Sequence, residues 1–112
     1  MEKMLFYDKE SDIFSIHKGF SANEKFKGDI DAGDLILDVS TKGKIRGIEV
    51  LNAANFFKGF NIDEEKLESI TEANFDATIK PNGIFIGLVI KSKNYGEIQA
   101  KIAVPLEVPV VS

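Results

Sequence analysis

Cysteine and tryptophan are both absent from this 112-residue chain, proline occurs three times and histidine once. Without cysteine there is no disulfide framework, thiol nucleophile, zinc finger or iron–sulfur site, and a reducing cytoplasmic setting is expected. With His17 alone, a histidine-based dyad or two-histidine metal site within one chain is excluded, and the residue reads as a strand-end histidine beside Lys18. No apolar run approaches the roughly 18 residues of a membrane span, and the start reaches Asp8 before any leader-length apolar stretch, so neither secretion nor a membrane is expected. No Gly-x-Ser-x-Gly elbow or glycine-rich loop opening a helix occurs, so nucleophilic hydrolysis and phosphate cradling have no foothold.

What is present is a globular composition, 44% hydrophobic and 29% charged, with nine phenylalanines. Eighteen acids against fourteen bases give a formal net charge of −4, so duplex nucleic acid is a poor partner by charge. Residues 1–70 hold fourteen acids and ten bases, residues 71–112 four of each. Lys80, Lys91, Lys93 and Lys101 with Tyr95 could form a basic strip, but lysines at exposed strand positions more often keep edges soluble.

Periodicity predicts an α+β fold that is mainly antiparallel β, two meanders joined by a short helical connector. Met4 to Tyr7 and Ile13 to His17 flank a polar turn and read as a hairpin. Leu35 to Val39 and Ile45 to Leu51 flank a second turn in which Gly43 takes positive φ. Phe20 and Phe26 anchor the polar stretch between the hairpins, where a weak strand fits near residues 24–30. Asn52 is expected to cap a helix of one or two turns ending at Gly59, and Asp63 a second with Leu67 and Ile70 buried. Alternation from Ala73 to Ile79, an apolar run from Ile84 to Ile90 and alternation from Ile98 to Val104 predict three strands, the middle one covered on both faces. A boundary near Gly59 to Asp63 divides the chain into residues 1–60 and 61–112, expected to pack as one compact unit.

Two acidic groups invite a metal reading: Asp8, Glu10 and Asp12 in one turn, and Asp29, Asp31 and Asp34 with Gly28 and Gly33 among them. Neither has the twelve-residue frame or closing Glu of an EF-hand, and short acids in turns serve the local backbone. Three further segments carry a resemblance: Tyr7 to Ile16, Gly33 to Asp38, and Gly43 to Ala53 with its Gly-Ile-Glu-Val-Leu core. Together they resemble the small prokaryotic family known as domain of unknown function 2283, over roughly residues 5–57. The resemblance implies a β-meander with a helix, no assigned activity, no catalytic residues and no cofactor, and an antitoxin-like or partner-binding role by association.

The reading that results is a non-catalytic binding or assembly module without catalytic residues or cofactor, self-associating or binding a small protein. The apolar tail residues Val104, Leu106, Val108, Val110 and Val111 are the interface candidates. The alternative is a small-ligand or divalent-cation binder, or an enzyme, in which Asp8, Asp34, Asp38 and Glu49 converge on one cleft.

Overall fold

A computed structural model describes residues 4–106. Eight strands and two short helices follow in the order β1 (Met4–Asp8), β2 (Ile13–His17), β3 (Phe26–Ala32), β4 (Leu35–Ser40), β5 (Ile45–Val50), α1 (Ala53–Lys58), α2 (Glu64–Glu68), β6 (Ile70–Lys80), β7 (Gly83–Ser92) and β8 (Gly96–Pro105). The α+β, mainly antiparallel architecture agrees with the pattern of alternation. Among the described residues, no helix is long and apolar enough to cross a membrane.

The second sheet is the expected meander, β6-β7-β8. The first is less simple. Its order is β1-β2-β5-β4-β3, so the chain leaves β2, crosses to the far edge at β3 and returns by hairpins to seat β5 against β2. The crossing stretch is tied down by Glu24, whose carboxylate accepts from Ser40 Oγ at 2.6 Å and Ser21 N at 2.9 Å and lies 3.4 Å from Arg46 Nε. These donors satisfy a buried carboxylate and hold its pKa down to about 2, the Ser40 hydroxyl first. Phe26, expected as an anchor here, is 52% exposed and begins β3.

Register explains the core. Leu5, Ile16, Ile48, Leu37 and Ile30 form one row across the first sheet, and Tyr7, Phe14, Val50, Leu35 and Ala32 the next. Their central members are buried, and full burial of a Leu, Ile or Phe contributes about 1.5–3 kcal/mol. A register shift beside Arg46 turns Ile45 into the core, away from the Gly47 face that strict alternation would give it. Ala73 and Phe75, then Ile84, Ile86, Leu88 and Ile90, then Ala100, Ile102 and Val104 complete the same buried cluster from the second sheet. β7 is central but covered on one face only: Phe85 is 41% exposed and Gly87 is open to solvent.

The connector helices bring Phe57 against Phe14, ring edge to face at 5.2 Å, with Phe56 and Phe60 half-buried beside it. Asp63 caps α2 as expected, accepting from Lys66 N at 2.9 Å. Asn52 occupies the N-cap position of α1 but makes no side-chain cap bond; the acceptor is Asp12, in the first hairpin, bonded to Ala54 N at 3.0 Å. Gly59 keeps right-handed backbone, and the left-handed residue that redirects the chain is Asn61, at φ 62°.

Candidate functional site

The alternation that fills the core leaves the opposite face of the first sheet uncovered, and that face is acidic. One cross-strand row runs Met4, His17, Gly47, Asp38, Asp29; the next runs Phe6, Ser15, Glu49, Ile36, Asp31. Four carboxylates stand in these rows with no Lys or Arg among them. Met4 and Phe6 are 69% and 63% exposed at the β1 edge, so apolar side chains border the acidic patch.

Gly47 gives the patch its shape. A Cβ at that position would lie 2.5 Å from His17 Cδ2 and 2.6 Å from Asp38 Oδ2, so its hydrogen lets side chains of β2 and β4 lean toward each other over β5. His17 Nδ1 accepts from Gly19 N at 2.7 Å, which leaves the proton of the neutral ring on Nε2, directed at Asp38 Oδ2. The 3.8 Å separation is a contact, longer than a hydrogen bond. Burial and then the Arg46 guanidinium push the His17 pKa down from its ordinary value, outweighing the charge of Glu24. Asp38 is pushed up to about 6, by burial first, then by its hydrogen bond with Asp29 and the charges of Asp29 and Glu49. Met4, Phe6, Ser15, His17, Asp38 and Glu49 line a hollow of only about 100 Å³ here. That volume is below the roughly 300 Å³ at which small-molecule pockets begin.

The other carboxylates singled out in the sequence are occupied with local structure. Asp8 accepts from Ser11 Oγ, Ser11 N and Glu10 N, closing the β1-β2 turn, while Glu10 is exposed. Asp12 accepts from the Tyr7 hydroxyl at 2.8 Å as well as from Ala54 N, and burial with Asp12 pushes the Tyr7 phenol up. Asp34 sits in the β3-β4 turn, apart from Asp29 and Asp31 on the β3 face. Among the described residues, no group of three or more His, Asp or Glu is placed to hold a metal ion. Of the four acids proposed to converge, Asp38 and Glu49 share the open face; Asp8 closes the β1-β2 turn and Asp34 lies in the β3-β4 turn.

The lysines of the second half are dispersed. Lys91 lies 3.6 Å from Glu72, Lys80 stands over the Phe85 ring, and the Tyr95 ring sits beneath Lys66. Val104 is buried in the chain's own core opposite Ile84, and Leu106 is half-buried with its N–H on the Asn82 carbonyl. Val108, Val110 and Val111 lie outside the described residues. Two depressions of about 690 and 630 Å³ are open grooves lined by residues of both sheets, and neither gathers carboxylates. The pairing of His17 with Asp38 has no sequence spacing that announces it; Gly47 inside a strand was the one local sign of a close approach.

Residues 5–53 match the model of the family described as Protein of unknown function (DUF2283), covering the first sheet from Leu5 onward and the first residue of α1. A protein named putative hypoxanthine phosphoribosyltransferase from Methanosarcina mazei is 33% identical over 85 residues, 76% of this chain and 63% of that protein. The chain therefore spans less than two thirds of the curated relative it matches. No solved structure matches it.

Proposed function

We propose that this protein is a non-catalytic binding module that presents the open face of its first sheet to a basic protein partner. The observation that carries the reading is the composition of two adjacent rows: Asp29, Asp31, Asp38 and Glu49 with no Lys or Arg as a row member, bordered by exposed Met4 and Phe6. A field of one sign steers a partner of the other, and apolar groups at its margin gain from being covered. An antitoxin-like module, a small acidic protein that masks a basic one in the cytoplasm, is the form of this function that the family resemblance favours. Phosphoribosyl transfer, the activity printed in the name of the archaeal relative, requires holding a pyrophosphate, which these carboxylates repel. At the hollow beside His17 and Asp38, the alternative of a cation or small-ligand site is disfavoured by its size and by the placement of Asp8 and Asp34 elsewhere.

Fluorescence anisotropy with a labelled Lys- and Phe-rich peptide tests the reading. Neutralising the face with Asp29→Asn, Asp31→Asn and Glu49→Gln weakens binding about ten-fold at low salt, whereas Glu64→Gln, Glu65→Gln and Glu68→Gln on α2 change it less than about two-fold. Equal effects of the two triple variants would mean that net charge alone is being read, and the proposal fails.

A further inference from the structure

Four strands end the two sheets: β1 and β3 in the first, β6 and β8 in the second. Each presents a row of backbone N–H and C=O groups with no sheet partner among the described residues, a template for another strand. They differ in how far that template is blunted. β1 has only five residues. β3 is bulged between Phe26 and Gly28 and carries Asp29 and Asp31, so an incoming copy of itself meets an irregular and acidic edge. β6 is irregular between Ile70 and Glu72, and the self-pairing that sets Glu72 opposite Lys80 also sets Asp76 opposite Asp76. β8 has ten residues, pairs with β7 from Gly96 to Pro105 without a shift, and carries proline only at its last position.

The charges of β8 are complementary to themselves. Glu97 and Lys101 are its only charged residues, both exposed, and neither forms an ion pair among the described residues. Antiparallel pairing of two copies about a two-fold axis through Gln99 sets Glu97 opposite Lys101 twice, on one face. The same register sets Ile98 opposite Ala100 twice, on the other face. In this register odd residues meet odd and even meet even, so the ladder closes whichever set turns its backbone groups outward.

We infer that β8 pairs with β8 of a second copy in this register, joining two three-stranded sheets into one of six strands. The surface is distinct from the acidic face of the first sheet, and a dimer so formed carries two such faces. Half-buried Ile98 gains cover, and the unpaired backbone of a regular edge is satisfied.

Sedimentation equilibrium of the full chain tests this with wild type, Glu97→Lys, Lys101→Glu, the double exchange, and an equimolar mixture of the two single variants. Both positions are exposed, and far-UV circular dichroism verifies that each variant folds. Wild type is expected to show reversible dimerisation, and each single variant, which sets like charges opposite one another twice, weakens it at least about ten-fold. The double exchange and the mixture of singles both recover it, because opposite charges face each other again in each. A wild type that stays at 12.4 kDa up to about 1 mM overturns the inference. Singles that dimerise as wild type does, or a mixture that fails to recover, overturn it equally.

Discussion

At the scale of single residues, two glycines in central strands do opposite things. Gly47 is a saddle: the space its side chain would fill is taken by the His17 ring and the Asp38 carboxylate. Gly87 sits at the middle of β7 with nothing within 4 Å of an added Cβ. Gly47→Ala forces His17 and Asp38 apart and is expected to destabilise by about 1–2 kcal/mol, the ordinary cost of overpacking where side chains can give way. Gly87→Ala adds only the strand preference of alanine over glycine and is expected to stabilise by about 0.5 kcal/mol. Urea unfolding of the two variants measures both, and equal effects would show that the closeness over Gly47 has no energetic weight. Room beside Gly47 was legible from a glycine inside a strand pattern. What occupies that room was not, because His17 and Asp38 meet only through two strand pairings, each fixed by a distant partner.

At the scale of elements, alternation was legible where one face alone is apolar, as in β8 and around Ala73 and Phe75 of β6; it broke down at the end of β6, where Ile79 is 45% exposed. It failed for β7, where Phe85 and Val89 extend the apolar run onto a solvent-facing side and imitate a strand covered on both faces. Local caps were legible and remote ones were not: Asp63 serves the helix that follows it, whereas Asp12 serves a helix 42 residues away. Asp12→Ala removes the side-chain cap of α1 and the partner of the Tyr7 hydroxyl together. The expected loss is about 1–2 kcal/mol, against about 1 kcal/mol for Asp63→Ala and almost none for exposed Glu10→Ala. Thermal unfolding by circular dichroism ranks the three, and an Asp12 variant as stable as the Glu10 variant would remove the capping role.

At the scale of the whole molecule, pH couples the open face to stability. Asp38 binds its proton more tightly in the folded chain, about 6 against an ordinary 3.8, so stability rises as pH falls through that window. His17 binds its proton less tightly when folded, so stability falls as pH drops below its ordinary 6.5. Glu24, lowered from 4.5 to about 2, contributes stability above pH 4.5 that is lost as pH falls toward 2. The first two trends oppose each other between pH 7 and 5, and single variants separate them. His17→Gln is expected to gain stability on acidification from pH 7 to 5, on the order of 1 kcal/mol after solvent screening of the Asp38 shift, and Asp38→Asn to lose it. Urea midpoints across that range decide it, and slopes of the same sign in both variants would refute the assignment. Strand order was the least legible feature at this scale, since the passage from β2 to β3 has no helix or repeat to mark it and is held by a buried Glu24.

The apolar rows beneath the first sheet have a lid, made by Phe57 of α1 and the buried residues of 62–104. The stretch that matches the family model stops at residue 53, before any of it. A protein comprising little more than that stretch would leave Phe14, Leu37 and Ile48 facing water unless some other body closed over them, so the portable part of this architecture is half a sandwich.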